Sequence, residues 1–273
     1  MNQIHERIID IGGTTARYLE AGAGDPVIFL HGASLGSSSD VWTPTLHDFA
    51  ARGFRPIAPD LPGFGRTPTS DHSIAHRRSF VLSFMDALGL ADAHLVGHSQ
   101  AGRIVVELAL EHPHRATSVT VLGTGSLLPP DPESKGGEGE EGTAAEPTLE
   151  QTRSLLESTL FHRELATDAA VAVRHRMSIG APFAAFRARR DAPREKSGGL
   201  WRRLVEVRVP LLLLYGREDR GNAAVRAAQA KALFPQLDIR VLPDCKHLVQ
   251  WDARDALADL GAAFMSRAAV ARR

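Results

Sequence analysis

Ser99 lies in the stretch LVGHSQAG, Leu95 to Gly102, between an apolar run (AHLV) and a segment of helical spacing (AGRIVVELAL). A serine on a sharp strand-to-helix turn presents its hydroxyl clear of the backbone, and small residues two positions to either side let strand and helix approach. Gly97 and Ala101 fill those positions, with Ala101 adding one methyl to the G-x-S-x-G pattern and Gly102 following at once. The simplest alternative is a Gly/Ser turn that caps a helix. A free hydroxyl is a weak nucleophile, so it needs a base, and the base needs a carboxylate to orient it. Asp219, in YGREDR, follows the apolar run LLLLY, and His247, in DCKHLVQWD, follows IRVL. Taken singly, Asp219 reads as a turn residue and His247 as a loop histidine; three such residues at the ends of three strands point to attack on a carbonyl carbon. Glu218 and Asp244 are the acids most easily confused with Asp219.

These side chains are useful only if the chain brings distant segments to one edge. Short apolar runs alternate with helical patterns over most of the length, the signature of a mainly parallel sheet covered by helices. Expected strands are residues 8–11 and 15–20 as a hairpin, then 27–30 (VIFL), 55–59, 93–96, 119–122, 211–215 and 239–242. Helices are expected near 42–52, 76–88, 104–110, 224–234 and 253–266. Residues projecting from the carboxyl ends of parallel strands converge on one crevice. Between the two halves of this pattern, residues 131–147 (DPESKGGEGEEGTAAEP) are too poor in apolar side chains to offset their ordering entropy and read as a mobile loop. Helical spacing returns from 149 to about 188, ahead of a basic stretch (RARRDAPREK) read as a solvated face. Residues 129–204 are therefore expected to form a helical cap inserted into a core made of 1–128 and 205–273.

The composition excludes several classes. In 273 residues, 32 basic and 32 acidic side chains leave no net field to draw the molecule to nucleic acid or an anionic membrane. No run approaches the roughly 20 apolar residues that span a bilayer, and the first residues, MNQIHERIIDIGG, lack an apolar leader. A cytoplasmic protein acting on a small molecule is expected. The single cysteine, Cys245, permits no internal disulfide and reads as a small buried residue. Twelve histidines include no H-E-x-x-H spacing, so neither a metal nor a cofactor is expected. DLPGFGRT, Asp60 to Thr67, lacks the spacing of a phosphate loop and reads as structural. His31 and His98 are expected to flank the pocket and shape substrate binding.

HG at 31–32, DLPGFG, GHSQAG, GRED and the terminal histidine together resemble the α/β-hydrolase superfamily over nearly the whole chain. The resemblance implies an α/β fold with a mainly parallel eight-stranded sheet, helices on both sides and the order nucleophile, acid, histidine. HGAS after VIFL resembles the oxyanion loop of these hydrolases, which makes the backbone N–H of Ala33 the partner of that of Gln100, with Ser34 next in line. A narrower resemblance is to the meta-cleavage-product hydrolases, which break a C–C bond in 2-hydroxy-6-oxohexa-2,4-dienoates. HGASLGSSSDVW is similar to that family's long oxyanion loop ending in a tryptophan, here Trp42. KHLVQWD is similar to its histidine segment with Gln250 and Trp251, although Leu248 stands where the family has an aromatic residue. TDAAVAVRHR resembles the cap segment whose arginine, here Arg174, holds the dienoate end; a planar cationic fork suits a carboxylate or enolate. Ser34, Trp42, His98, Arg174, Leu248 and Trp251 are thus the expected substrate contacts, and a homodimer is implied by analogy. A carboxylesterase or lactonase would use the same parts, and a receptor retaining the fold is the reading outside enzymes.

Overall fold

The computed structural model describes residues 3–131, 145–191 and 199–272. β1 (His5–Ile11) and β2 (Thr14–Glu20) form an antiparallel hairpin. Its two-residue turn is Gly12-Gly13, both at positive φ (59° and 89°), where only glycine is free of strain. There follow β3 (Asp25–Leu30), α1 (Thr43–Ala51), β4 (Phe54–Pro59), α2 (Ile74–Ala87), β5 (Ala93–His98), α3 (Gln100–Glu111) and β6 (Ala116–Leu122). The chain then leaves the sheet for α4 (Leu149–Ser158), α5 (Asp168–Arg176) and α6 (Ala181–Asp191). It returns through β7 (Leu211–Gly216), α7 (Ala223–Leu233), β8 (Asp238–Leu242), the short α8 (Val249–Asp252) and the long α9 (Arg254–Arg272).

The eight strands lie in the order β1-β2-β4-β3-β5-β6-β7-β8, parallel from β4 to β8. After β3 the chain moves outward to β4 and then back across to β5, so the direction of winding reverses between β3 and β5. A crevice opens at the carboxyl ends of such a pair. Those ends carry Ala33 and Ser99.

The continuous apolar reading of VIFL has a direct cause. Ile28 and Leu30 join the core beneath α2, α3 and α7, while Val27 and Phe29 join the core beneath α1 and α9. Side chains alternate across a strand, so a strand covered on both sides is apolar at every position.

The first helix of the insertion, α4, begins where helical spacing returns in the sequence. Thr148 caps α4 by accepting from the Gln151 N–H while the Gln151 side chain accepts from the Thr148 N–H, a reciprocal capping box. Its far boundary differs from expectation in one respect: Leu200 and Leu204, assigned to the cap, are buried in the sheet core. The glycine- and glutamate-rich loop falls largely on 132–144, outside the described residues, as do 192–196 of the basic stretch. Among the described residues no helix is long and apolar enough to cross a membrane.

Candidate active site

Ser99 occupies the turn between β5 and α3 with φ 55° and ψ −123°. A non-glycine residue there stores roughly 1–3 kcal/mol, and the surroundings hold it. The Ser99 N–H donates to Leu122 O at 2.8 Å, and Thr124 Oγ1 donates to Ser99 O at 2.7 Å. The glycine pattern also becomes intelligible. A Cβ on Gly97 would lie 2.4 Å from Ala101 O, and one on Gly102 would lie 2.0 Å from Thr124 Oγ1. Close approach is required at 97 and 102, so the methyl of Ala101 is accommodated.

The three distant side chains meet. His247 Nε2 lies 3.1 Å from Ser99 Oγ, and His247 Nδ1 lies 3.2 and 3.1 Å from the two Asp219 oxygens. The carboxylate accepts a hydrogen bond from Nδ1–H, which keeps the proton on Nδ1 and leaves Nε2 as the acceptor for the serine hydroxyl. Asp219 Oδ1 also accepts the Arg220 N–H at 2.8 Å. The rival acids are otherwise engaged or placed: Glu218 Oε2 accepts the Cys245 N–H at 2.9 Å, and Asp244 is a turn residue at φ 51°.

The backbone of His247 is held at both ends. Its N–H donates to Thr159 O at the end of α4 (3.1 Å), and its carbonyl accepts from His98 Nε2–H at 2.9 Å. Burial, reinforced by the nearby His247 ring, holds the His98 imidazole well below its ordinary pKa and therefore neutral. His98, expected among the substrate contacts, holds the main chain of the base.

Beside Ser99, the loop after β3 presents the Ala33 N–H. Its preceding carbonyl, Gly32 O, lies 2.7 Å from His31 Nδ1, while His31 Nε2 accepts the Leu61 N–H at 3.0 Å. That pairing puts the proton on Nδ1, so His31 donates to Gly32 O and polarises the peptide that carries the Ala33 N–H. Burial pushes the His31 pKa down to about 4. A Cβ on Gly32 would come within 3.1 Å of the Ser99 Cβ, which is how closely this loop approaches the nucleophile. The Gln100 N–H opens α3, where no preceding turn can accept it, and the Gln100 Oε1 accepts from Arg77 Nη1 at 3.0 Å. The arrangement can shift a proton from a hydroxyl to an imidazole and meet a nascent oxyanion with two N–H groups.

A buried arginine underpins the same loop. Arg17, 2% exposed, pairs with Asp40, Asp60 and Glu6 and donates to Ser39 Oγ. Burial opposes its charge, but the hydrogen bond to Asp40 and the two neighbouring carboxylates prevail and raise its pKa.

Of the expected substrate contacts, Arg174 reaches from α5 to donate to Ser34 Oγ at 2.8 Å, so a cap side chain and the oxyanion loop meet. Trp251 is fixed by its indole N–H on Val41 O at 2.8 Å and lines a cavity of about 350 Å³ with Val41, Leu156, Arg174 and Gln250. Ser99, Asp219 and His247 are not in its wall. Leu248 is buried among Leu156, Leu160 and Val171 of the cap. Trp42 corrects the expectation: it is fully buried, 5.1 Å from the Phe29 ring, because the turn at 39–42 drives the indole into the core beneath α1 and α9.

Arg17 and two further arginines were missed. Arg77 lies on the apolar stripe of α2 with Phe80, Val81 and Phe84, a position where a charge signals a buried partner. Arg189 belongs to the basic stretch read as a solvated face, yet its guanidinium stands 4.0 Å over the Phe64 ring and donates to Ala33 O at 2.9 Å. Among the described residues no group of three or more His, Cys, Asp or Glu could hold a metal ion.

Known proteins are similar to this chain over nearly its full length. A family model described as "Alpha/beta hydrolase family" matches residues 27–260. The 2-hydroxy-6-oxo-6-phenylhexa-2,4-dienoate hydrolase of Burkholderia cepacia is 31% identical over 90% of both chains. The 2-hydroxy-6-oxononadienedioate/2-hydroxy-6-oxononatrienedioate hydrolase of Comamonas testosteroni is 30% identical with the same coverage. Among solved structures, a meta-cleavage product hydrolase from Pseudomonas fluorescens IP01 superposes with a TM-score of 0.78 at 24% identity, covering 96% of this chain and 98% of its own.

Proposed function

The chain belongs to the alpha/beta hydrolase family, and on that footing we propose that it is a serine hydrolase that cleaves a C–C bond in a 2-hydroxy-6-oxo-dienoate. Two contacts support the reading: Ser99 is hydrogen-bonded to His247, and Arg174 of the cap donates to Ser34, next to Ala33 on the oxyanion loop. A substrate with a reactive carbonyl at one end and a carboxylate or enolate at the other needs both. A guanidinium can take the anionic end bidentately and stays charged in a dry pocket.

In this reaction His247 first assists ketonisation of the dienol: the 2-hydroxyl loses its proton, C5 gains one and C2 becomes a keto group, so that the C5–C6 bond beside the existing C6 carbonyl can break with its electron pair drawn toward C2. Ser99 then attacks C6 as His247 takes its proton, and Asp219 steadies the resulting imidazolium. The N–H groups of Ala33 and Gln100 hold the oxyanion. Collapse breaks C5–C6 with its electron pair carried through the unsaturated chain to the C2 oxygen, which takes the proton held by His247 as the 2-hydroxydienoate leaves. A water deprotonated by His247 then frees the carboxylic acid, and the proton returns to Ser99.

Adding the enzyme to a 2-hydroxy-6-oxo-dienoate should bleach the dienol absorbance. Arg174→Ala should damage that turnover far more than turnover of a neutral aryl ester; equal damage on both would count against the assignment. The aliphatic surroundings of Leu248 favour one second reading, a carboxylesterase or lactonase on a small ester, which uses the same parts without ketonisation. Brisk aryl-ester turnover with an untouched dienol band would select it. A folded sample in which a fluorophosphonate leaves Ser99 unmodified would select a receptor instead.

A further inference from the structure

Beyond the loop's own contacts, three side chains hydrogen-bond to Gly32, Ala33 and Ser34 of the loop that presents the Ala33 N–H, and two of them come from the cap. His31 holds Gly32 O from within the core, Arg174 holds Ser34 Oγ from α5, and Arg189 holds Ala33 O from α6. Arg189 Nη1 also reaches Gly63 O at 3.4 Å. The remaining oxyanion position is tied to the same place. Arg77, which donates to the Gln100 side chain, lies 5.2 Å from the centroid of the Phe64 ring that Arg189 covers at 4.0 Å. The His31 ring meets that phenyl edge-on, with centroids 5.0 Å apart. Phe64 is thus the common neighbour of every side chain that steadies Ala33 and Gln100, apart from Arg174.

From this geometry we infer that Arg189 is a positioning residue that couples the seating of the cap to the oxyanion hole. The inference rests on Ala33 and Gln100 being the oxyanion donors. Gly32, Ala33 and Ser34 have no long side chains to anchor them, so hydrogen bonds from outside the segment help to set where the Ala33 N–H points. With α6 seated, the planar fork of Arg189 spans two carbonyls and a ring face at once, which a lysine cannot do. When α6 lifts, Ala33 O loses its donor and Phe64 its cover. A substrate that keeps the cap seated would therefore be met by a better-aimed N–H group, and the cap would act on rate as well as on affinity.

The test uses the full-length enzyme with a small neutral aryl ester and, in parallel, the rate at which a fluorophosphonate labels Ser99. Both probes need the oxyanion hole but not the dienoate end of the proposed substrate. Misplacing a transition-state donor is felt in kcat, so Arg189→Ala should lower kcat by about tenfold or more with KM little changed, and labelling should slow in step. Added methylguanidinium should restore part of the rate, and Arg190→Ala, one exposed position further along α6, should behave as the parent. Arg189→Lys covers the case in which the alanine variant melts early; it should fall between the two. Parental kcat in either Arg189 variant, or a change in KM alone, would overturn the inference. An unlabelled Ser99 in the parent enzyme would overturn both this and the serine mechanism, whereas an intact dienoate would overturn only the C–C assignment.

Discussion

The Nε2–H of His98 donates to the backbone carbonyl of His247 at 2.9 Å, and the two rings lie 4.9 Å apart. The residue just before the nucleophile therefore holds the main chain of the base, and burial keeps it uncharged beside an imidazole that must become cationic during turnover. His98→Ala removes that anchor and leaves a buried carbonyl without its donor. A loss of roughly tenfold or more in kcat, with KM little changed, is expected for a misplaced base. Steady-state kinetics on a neutral ester provide the check; a change confined to KM would make His98 a substrate contact after all.

His31 predicts an acid limb in stability. The unfolded chain takes a proton on this ring near pH 6.5, the folded chain only at about 4. Above 6.5 both states are neutral and the ring's full contribution is present. As pH falls from 6.5 to 4 only the unfolded state gains the proton, so stability drops, by roughly 3 kcal/mol in total for an isolated group. Urea denaturation of the parent and of His31→Gln, at about pH 7.5 and about pH 5, should show the parent's advantage shrinking on acidification. An advantage independent of pH would mean that the ring is not held neutral.

The glycine contacts around Ser99 make opposite predictions for adjacent positions. Gly102→Ala forces a methyl against the buried Thr124 side chain, which itself holds Ser99 O, and overpacking of this kind costs about 1–3 kcal/mol. Ala101→Gly removes a methyl and adds backbone freedom within a helix, a cost of about 1 kcal/mol or less. Thermal melts and ester turnover should rank Gly102→Ala well below Ala101→Gly in both respects. The reverse ranking would show that the close approach lies at 101.

These contrasts mark what could be read from the residues alone. VIFL and LLLLY were legible as strands because both faces of the sheet are covered, so their side chains are apolar without alternation. Ser99 and Asp219 were legible because each follows a buried strand, and His247 because it comes shortly after the edge strand IRVL; parallel strands bring their carboxyl ends to one edge. Trp42 was not, since an aromatic at the end of a loop looks the same whether the following turn sends it toward substrate or into the core. Arg17, Arg77 and Arg189 were hidden for a related reason. An arginine in a sequence reads as solvated until the acceptors that hold it, here Asp60, Gln100 Oε1 and Ala33 O, are seen to arrive from distant segments.

The base hangs partly from the insertion: the His247 N–H is bonded to Thr159 O, and Asp252 receives the N–H groups of Phe161, His162 and Lys246 together. A lid transplanted here from a relative would have to supply matching acceptors and donors at those points, or the imidazole would lose its registration even though every residue of the host scaffold was retained. Exchanging lids to change substrate range is thus constrained at its seam as well as at its lining.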